Sequence, residues 1–264
     1  MINFFKPASV KEALLLKAKH CNRVTWFAGG THINRFEYIA RHEHVISLEA
    51  LGLHFIQNYA EQISVGAMVT LQELMDSRII PEALRQAAAM ADTRSIRNMA
   101  TIGGDIASGG KETRLAPCLM ALHATVTTAG GKTHRIEDYI TRNSTELILN
   151  VTIPSKEITC VVRQVILKAN GPVLANTAVS MNKTADFRPN HVVVAVGTVE
   201  DTPRRLPEIE KDIRNHLLRN RNSIEKAVSD VIAPETDQFA SRDYKTYITG
   251  VVIADSLISC LEKL

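Results

Sequence analysis

Two Gly-Gly pairs constrain this chain more than anything else in it: Phe27-Ala28-Gly29-Gly30-Thr31-His32 and Thr101-Ile102-Gly103-Gly104-Asp105. Glycine enters the φ > 0 region without penalty and puts no Cβ between its amide and a partner. Successive N–H groups in such turns converge on one point and form an anion-binding nest. Two nests in one chain suit a diphosphate gripped from both sides. Neither pair belongs to a G-x-G-x-x-G fingerprint, so a Rossmann dinucleotide domain is not expected. Gly109-Gly110-Lys111-Glu112-Thr113 lacks both the earlier glycine and the hydroxyl residue directly after lysine that a P-loop requires.

The rest of the chain narrows the chemistry. Its 264 residues leave room for two domains, and 45% hydrophobic with 22% charged residues is a globular profile. A net charge of +3, scattered, argues against nucleic acid. No apolar run approaches the ~20 residues of a membrane span. The opening Met1-Ile2-Asn3-Phe4-Phe5-Lys6-Pro7 lacks the pattern of a secretory signal. Cys21, Cys118, Cys160 and Cys260 form no C-x-x-C, so no iron–sulfur cluster or structural zinc is expected on this chain. Reduced thiols in the cytoplasm are the simplest reading. His42-Glu43-His44 lacks a third ligand and reads as surface, so no metal site is expected. No nucleophile–base–acid set stands out, and no catalytic side chain is assigned. That fits a chain whose reactive atoms belong to a cofactor.

Read in order, the pattern predicts a strand at Asn3 to Phe5, then a helix opened by the capping-box spacing of Ser9 and Glu12. A strand over Val24 to Ala28 delivers the first glycine pair, with Thr31 to Arg41 helical beyond it. Strands follow at His44 to Leu48 and Gln62 to Gly66. A second capping box at Thr70 and Glu73 opens a helix that stops before Pro81, and Pro81 to Ala91 is an alanine-rich helix. Leu115 to Leu122 is a short apolar helix. Strands at Ala124 to Thr128 and Glu146 to Ile153 flank the Gly130-Gly131 turn. The domain boundary is placed near Pro154 to Glu157. Beyond it, strands at Thr159 to Lys168 and His191 to Val199 precede helices at Pro207 to Leu218, Ser223 to Ile232 and Ser241 to Leu264, an α+β arrangement.

The glycine pairs in their surroundings resemble a known family, the flavoprotein (medium) subunit or domain of molybdenum hydroxylases such as xanthine dehydrogenase and aerobic carbon monoxide dehydrogenase. Phe27 to Thr31 is similar to the family's L-A-G-G-T. Ile96-Arg97-Asn98-Met99-Ala100-Thr101-Ile102-Gly103-Gly104-Asp105-Ile106 is similar to its I/V-R-N-x-A/G-T-I/Y-G-G-N/S-I/L. Ile63 to Leu74 resembles the linking strand and helix, and Ser241-Arg242-Asp243-Tyr244 resembles the start of the final helix. The resemblance implies an α+β fold: a two-lobed FAD-binding domain of the vanillyl-alcohol-oxidase (PCMH) type over residues 1–155, with lobes of about 1–57 and 58–155. A C-terminal domain over 156–264 follows, an antiparallel sheet with helices on one side. FAD contacts fall on Phe27, Ala28, Gly29, Gly30, Thr31 and His32 in the first turn and on Thr101, Ile102, Gly103, Gly104 and Asp105 in the second. Leu147 matches the apolar position beside the flavin, and Lys168 a lysine eight residues before an Asp-Ile pair.

The resemblance further implies 2Fe–2S clusters on one partner subunit and molybdopterin on another, with NAD or another acceptor taking electrons from the flavin. A purine or related N-heterocycle is the substrate class implied by analogy. The chain also departs from the pattern. Arg114 stands where the family commonly has aspartate, Asn176 where the later Asp-Ile pair would put one, and His32 replaces the aspartate of A-G-G-T-D. The aromatic–glycine cover before Glu146 is missing. Two other readings therefore stay open: a non-catalytic scaffold with a decayed flavin site, and a self-sufficient flavin oxidoreductase like the bacterial cell-wall enolpyruvyl reductases, for which no substrate acid can be located.

Overall fold

The computed structural model describes residues 2–34, 42–142, 144–155, 158–168, 171–183, 189–218 and 220–263. Three sheets organise them. The first is parallel, in the order β1 (Asn3–Phe5), β3 (His44–Ser47), β2 (Val24–Phe27). Helix α1 (Val10–His20) packs on it. One arm of the expected capping box is made, Ser9 Oγ accepting the Glu12 N–H at 3.2 Å; the Glu12 carboxylate reaches one residue further back and accepts the Ala8 N–H at 2.9 Å. Ala13, Val24, Ile46, Leu48, Leu51 and Leu53 form a small core beneath, which Leu147 joins from far along the chain.

The second sheet is antiparallel, in the order β4 (Ile56–Asn58), β5 (Gln62–Gly66), β8 (Ile148–Pro154), β6 (Thr125–Thr128), β7 (Thr133–Arg135). Its helices are α2 (Leu71–Asp76), α3 (Glu82–Met90), α4 (Arg94–Arg97), α5 (Ile102–Ser108), α6 (Ala116–Ala121) and α7 (Ile136–Thr141). The Thr70–Glu73 capping box is complete. Pro81, expected as the first helical residue, is the N-cap of α3, which begins one residue later at Glu82. Strand β7 and helix α7 lie between the strands expected at Ala124 to Thr128 and Glu146 to Ile153, beyond any expected element.

The third sheet runs β12 (Arg204–Arg205), β11 (Pro189–Gly197), β10 (Val173–Lys183), β9 (Thr159–Ile166), all antiparallel. Helices α8 (Pro207–Arg214), α9 (Arg221–Val231) and α10 (Arg242–Lys263) cover one face, where Val179, Met181, Val192 and Val194 meet Ile209, Val228, Ile253 and Leu257. The other face is not bare. Val162, Ala178, Val193 and Ala195 join the core of the second sheet and its helices. This three-layer burial makes β10 and β11 central, flanked on both sides. No helix among the described residues is long and apolar enough to cross a membrane. The expected helix from Thr31 begins as a turn through Asn34, and its remainder, 35–41, lies outside the described residues, as do Lys156 and Glu157 of the expected boundary.

Candidate functional site

The two glycine pairs meet. A Cβ on Gly29 would stand 1.6 Å from the Met99 carbonyl oxygen, so the first turn is seated directly against the backbone that leads into the second. Gly30 has φ +72°, the left-handed region, and the Phe27 ring lies 2.8 Å from where its Cβ would be. Gly103 abuts Ala67, whose Cβ would be 2.6 Å away, and a Cβ on Gly104 would be 2.9 Å from Thr101 Oγ1. Any side chain at Gly29 or Gly103 therefore meets backbone, which cannot step aside.

The turns border one cavity of about 440 Å³, within the usual size of small-molecule sites. One wall is Ala28 to Ile33, a second is Thr101, Gly103, Gly104, Ala107 and Ser108, and a third is Tyr139 with Ser144 to Ile148. Of the expected site residues, Ala28, Gly29, Gly30, Thr31, His32, Thr101, Gly103, Gly104 and Leu147 line it. Four do not. Phe27 turns its ring edge-on to Phe4, centroids 5.6 Å apart, and props the turn from behind. Ile102 is fully buried in the core. Asp105 is half-buried and its carboxylate serves the protein rather than the cavity. Lys168 is exposed in the turn between β9 and β10, where its carbonyl accepts the Gly171 N–H at 2.7 Å. A lysine at a hairpin tip satisfies a sequence match without reaching the cleft.

The turns differ in what their amides do. Among the described residues, the N–H groups of Gly29, Gly30 and Thr31 donate to no protein acceptor, and this turn can act as a nest. The second turn corrects the expectation of a matching nest. Ile102 donates to Val69 O at 2.9 Å, Gly103 to Ala67 O at 3.0 Å, Gly104 to Thr101 Oγ1 at 3.1 Å and Asp105 to Thr101 O at 2.8 Å. Its glycines provide close approach, not free donors.

Asp105 ties this turn to the chain ahead. Its two carboxylate oxygens accept the N–H groups of Arg114 and Leu115, each at 2.9 Å. Burial pushes its carboxyl up to about 6, against the opposing pull of those two N–H bonds and the Arg114 charge. Arg114 and Asn176, two of the departures noted above, are bonded to each other: Asn176 Nδ2 donates to Arg114 O at 2.6 Å.

Sequence reasoning missed Lys17, Trp26, Tyr139 and Glu146, all on the cavity wall. They are brought in by tertiary contacts no local motif announces. Burial pushes the Tyr139 hydroxyl up to about 12, so it stays protonated and donates to Glu146 O at 2.8 Å. Burial likewise lowers Lys17, with a smaller opposing effect from Cys21. Lys17, His32 and His42 stand on the lining against the single carboxylate of Glu146. A wider groove of about 610 Å³ lies between Lys111 and residues 200–204, but its two cations are both paired, Lys111 with Asp201 at 2.8 Å and Arg204 with Glu200 at 2.6 Å. The glycine-walled cavity is the one fitted to an anionic, partly flat ligand, with open amides, clearance for a backbone-close approach and an aromatic and aliphatic wall.

Comparison with known proteins agrees. Residues 1–156 match the family model for the FAD binding domain in molybdopterin dehydrogenase. The Escherichia coli (strain K12) protein YgfM is 35% identical over 257 residues, covering 97% of this chain and 95% of YgfM. The glyceraldehyde dehydrogenase medium chain of Sulfolobus acidocaldarius is 23% identical over 226 residues, 80% of each chain. In fold, a chain of the Hydrogenophaga pseudoflava carbon monoxide dehydrogenase superposes with a TM-score of 0.91 at 22% identity, over 99% of this chain and 98% of that one. The cleft walled by two abutting glycine turns and the match across the whole N-terminal part lead to one conclusion: this chain belongs to the family of FAD-binding domains of molybdopterin dehydrogenases.

Proposed function

We propose that the chain is the FAD-carrying electron-transfer subunit of a multi-subunit molybdenum hydroxylase of the xanthine dehydrogenase kind, working only with its partners. Electrons would reach it from 2Fe–2S clusters on one partner, themselves fed by a molybdopterin subunit, and leave to NAD or another acceptor. Supporting this, the relatives include medium chains of glyceraldehyde and carbon monoxide dehydrogenases. FAD exchanges electrons singly or in pairs, which is the chemistry such a relay needs. The observation that carries the reading is the shared cavity of the two glycine turns.

The chain's own residues would bind and orient. The amides of Gly29, Gly30 and Thr31 would hold the diphosphate, with Lys17 on the same lining offsetting its charge. Gly103 and Gly104 would let it lie against bare backbone. Leu147 and Ile148 would present an apolar face to a flat ring and exclude water from it. Lys168 enters this reading only if the β9–β10 turn approaches the flavin in the assembled complex. Co-purification with the partner subunits in excess FAD, followed by heat release of the flavin, should return close to one FAD per chain. A flavin-free complex would sink the proposal. Re-oxidation of the substrate-reduced complex by NAD, compared with oxygen, tests the acceptor.

The internal bonding of the Ile102 to Asp105 amides favours one rival, a scaffold that retains the fold while its flavin site has decayed. It predicts a stable, fully active complex that contains no flavin.

A further inference from the structure

The cavity holds one aromatic residue that nothing above has assigned a role. Trp26 lies on β2, two positions before Ala28, and its side chain is only half-buried. Its ring N–H donates to the Thr145 carbonyl at 3.1 Å, which fastens the indole across to the strand of wall that carries Leu147 and Ile148. Lys17 Nζ stands 5.7 Å from the ring centroid and donates to Val24 O at 2.7 Å. The indole is thus held at its polar edge and steadied by a cation, and it borders the cavity all the same. With its one donor committed and part of the ring packed against the small core beneath the first sheet, Trp26 presents only carbon surface to the cavity. A core tryptophan would be closed in on every side, and this one is not.

We propose that Trp26 is a stacking platform for one of the two flat rings of FAD, the adenine or the isoalloxazine. It takes the place of the aromatic cover segment that the stretch before Glu146 lacks. The inference rests on the flavin-binding function proposed above and names the side chain that confers affinity beyond the diphosphate grip. Stacking of a heteroaromatic ring on a side chain of this kind changes affinity roughly 5- to 150-fold when the aromatic face is removed.

The test uses the full chain and equilibrium dialysis against FAD, with ADP and FMN dialysed separately to assign the ring. Three variants are compared: Trp26→Phe, Trp26→Leu and Trp26→Ala. All three lose the bond to Thr145, so that loss cancels between them. Trp26→Phe should bind FAD within a few-fold of the parent, while Trp26→Leu and Trp26→Ala should weaken it by about 5- to 150-fold. Whichever of ADP or FMN shares that loss carries the stacked ring. Trp26 is the only tryptophan in the chain, so its emission should also fall as FAD binds. Equal affinity in the leucine and phenylalanine variants, with FAD still bound, overturns the platform and leaves the flavoprotein reading standing. Failure of the parent chain to bind FAD overturns both.

Discussion

The two glycine turns look alike in sequence and do different work. The first is strained and open: Gly30 is left-handed, and the amides of Gly29 to Thr31 face no described protein acceptor. The second is ordinary in backbone and closed, its amides donating to Ala67, Val69 and Thr101. At the first turn glycine is needed for conformation at Gly30 and for clearance at Gly29; at the second it is needed for clearance alone. A Gly-Gly pair therefore marks where backbone must come close to something, without saying whether that something is a ligand or another strand.

Substitutions can break this comparison or sharpen it. Gly29→Ala should be the most damaging, because its methyl would overlap the Met99 carbonyl. A loss of more than about 3 kcal/mol is expected in urea unfolding, beyond the usual overpacking range. Next is the tie that anchors the closed turn. A raised carboxyl pKa favours the fold in acid: Asp105 contributes fully below 3.8, and that contribution is lost as pH rises through about 6. The shift is worth about 3 kcal/mol at most. Asp105→Asn should lack this dependence, so the difference in unfolding free energy between parent and variant should change between pH 4 and 7 and level off above. A constant difference would mean that the carboxyl titrates alike in the folded and unfolded chains. Gly103→Ala should cost about 2 kcal/mol through its clash with Ala67, with flavin affinity falling only as far as the fold is disturbed. Gly30→Ala should have the smallest effect on stability, about 1–2 kcal/mol for a left-handed alanine. Its effect on FAD affinity in dialysis should nonetheless exceed that of Gly103→Ala, since the open donors are its neighbours. The reverse order would assign the grip to the second turn.

Much of the fold could be read from local signals because local physics specified it. The Ser9 and Thr70 caps, the Pro81 entry and the Gly130-Gly131 turn all act within a few residues. Strand β10 could not be read that way. Asn176, Thr177, Ser180 and Asn182 interrupt its apolar run, and three of them are polar for tertiary reasons: Asn176 reaches Arg114, Thr177 reaches Arg163 and Ser180 reaches Ala121. A strand buried on both faces that also bonds sideways to its neighbours carries no clean alternation. The site divides in the same way. Gly29, Gly30, Gly103 and Gly104 were visible because glycine is informative alone. Lys17, Trp26 and Tyr139 were not, because a lysine on an amphipathic helix and aromatics in short elements look like ordinary packing until the lobes close. Lys168 is the opposite case, conspicuous in a motif and not on the cavity lining.

One chain of contacts carries a mechanical meaning. Asn176, on a central strand of the third sheet, holds the Arg114 carbonyl; the amide of that same residue is held by Asp105; and Asp105 lies within the short helix α5, which begins at Ile102 and carries Gly103. No slack segment intervenes. A neighbouring subunit that pulled or pressed on the third sheet would transmit the displacement as through a rigid linkage, and the far end of that linkage is the wall of the glycine-lined cavity.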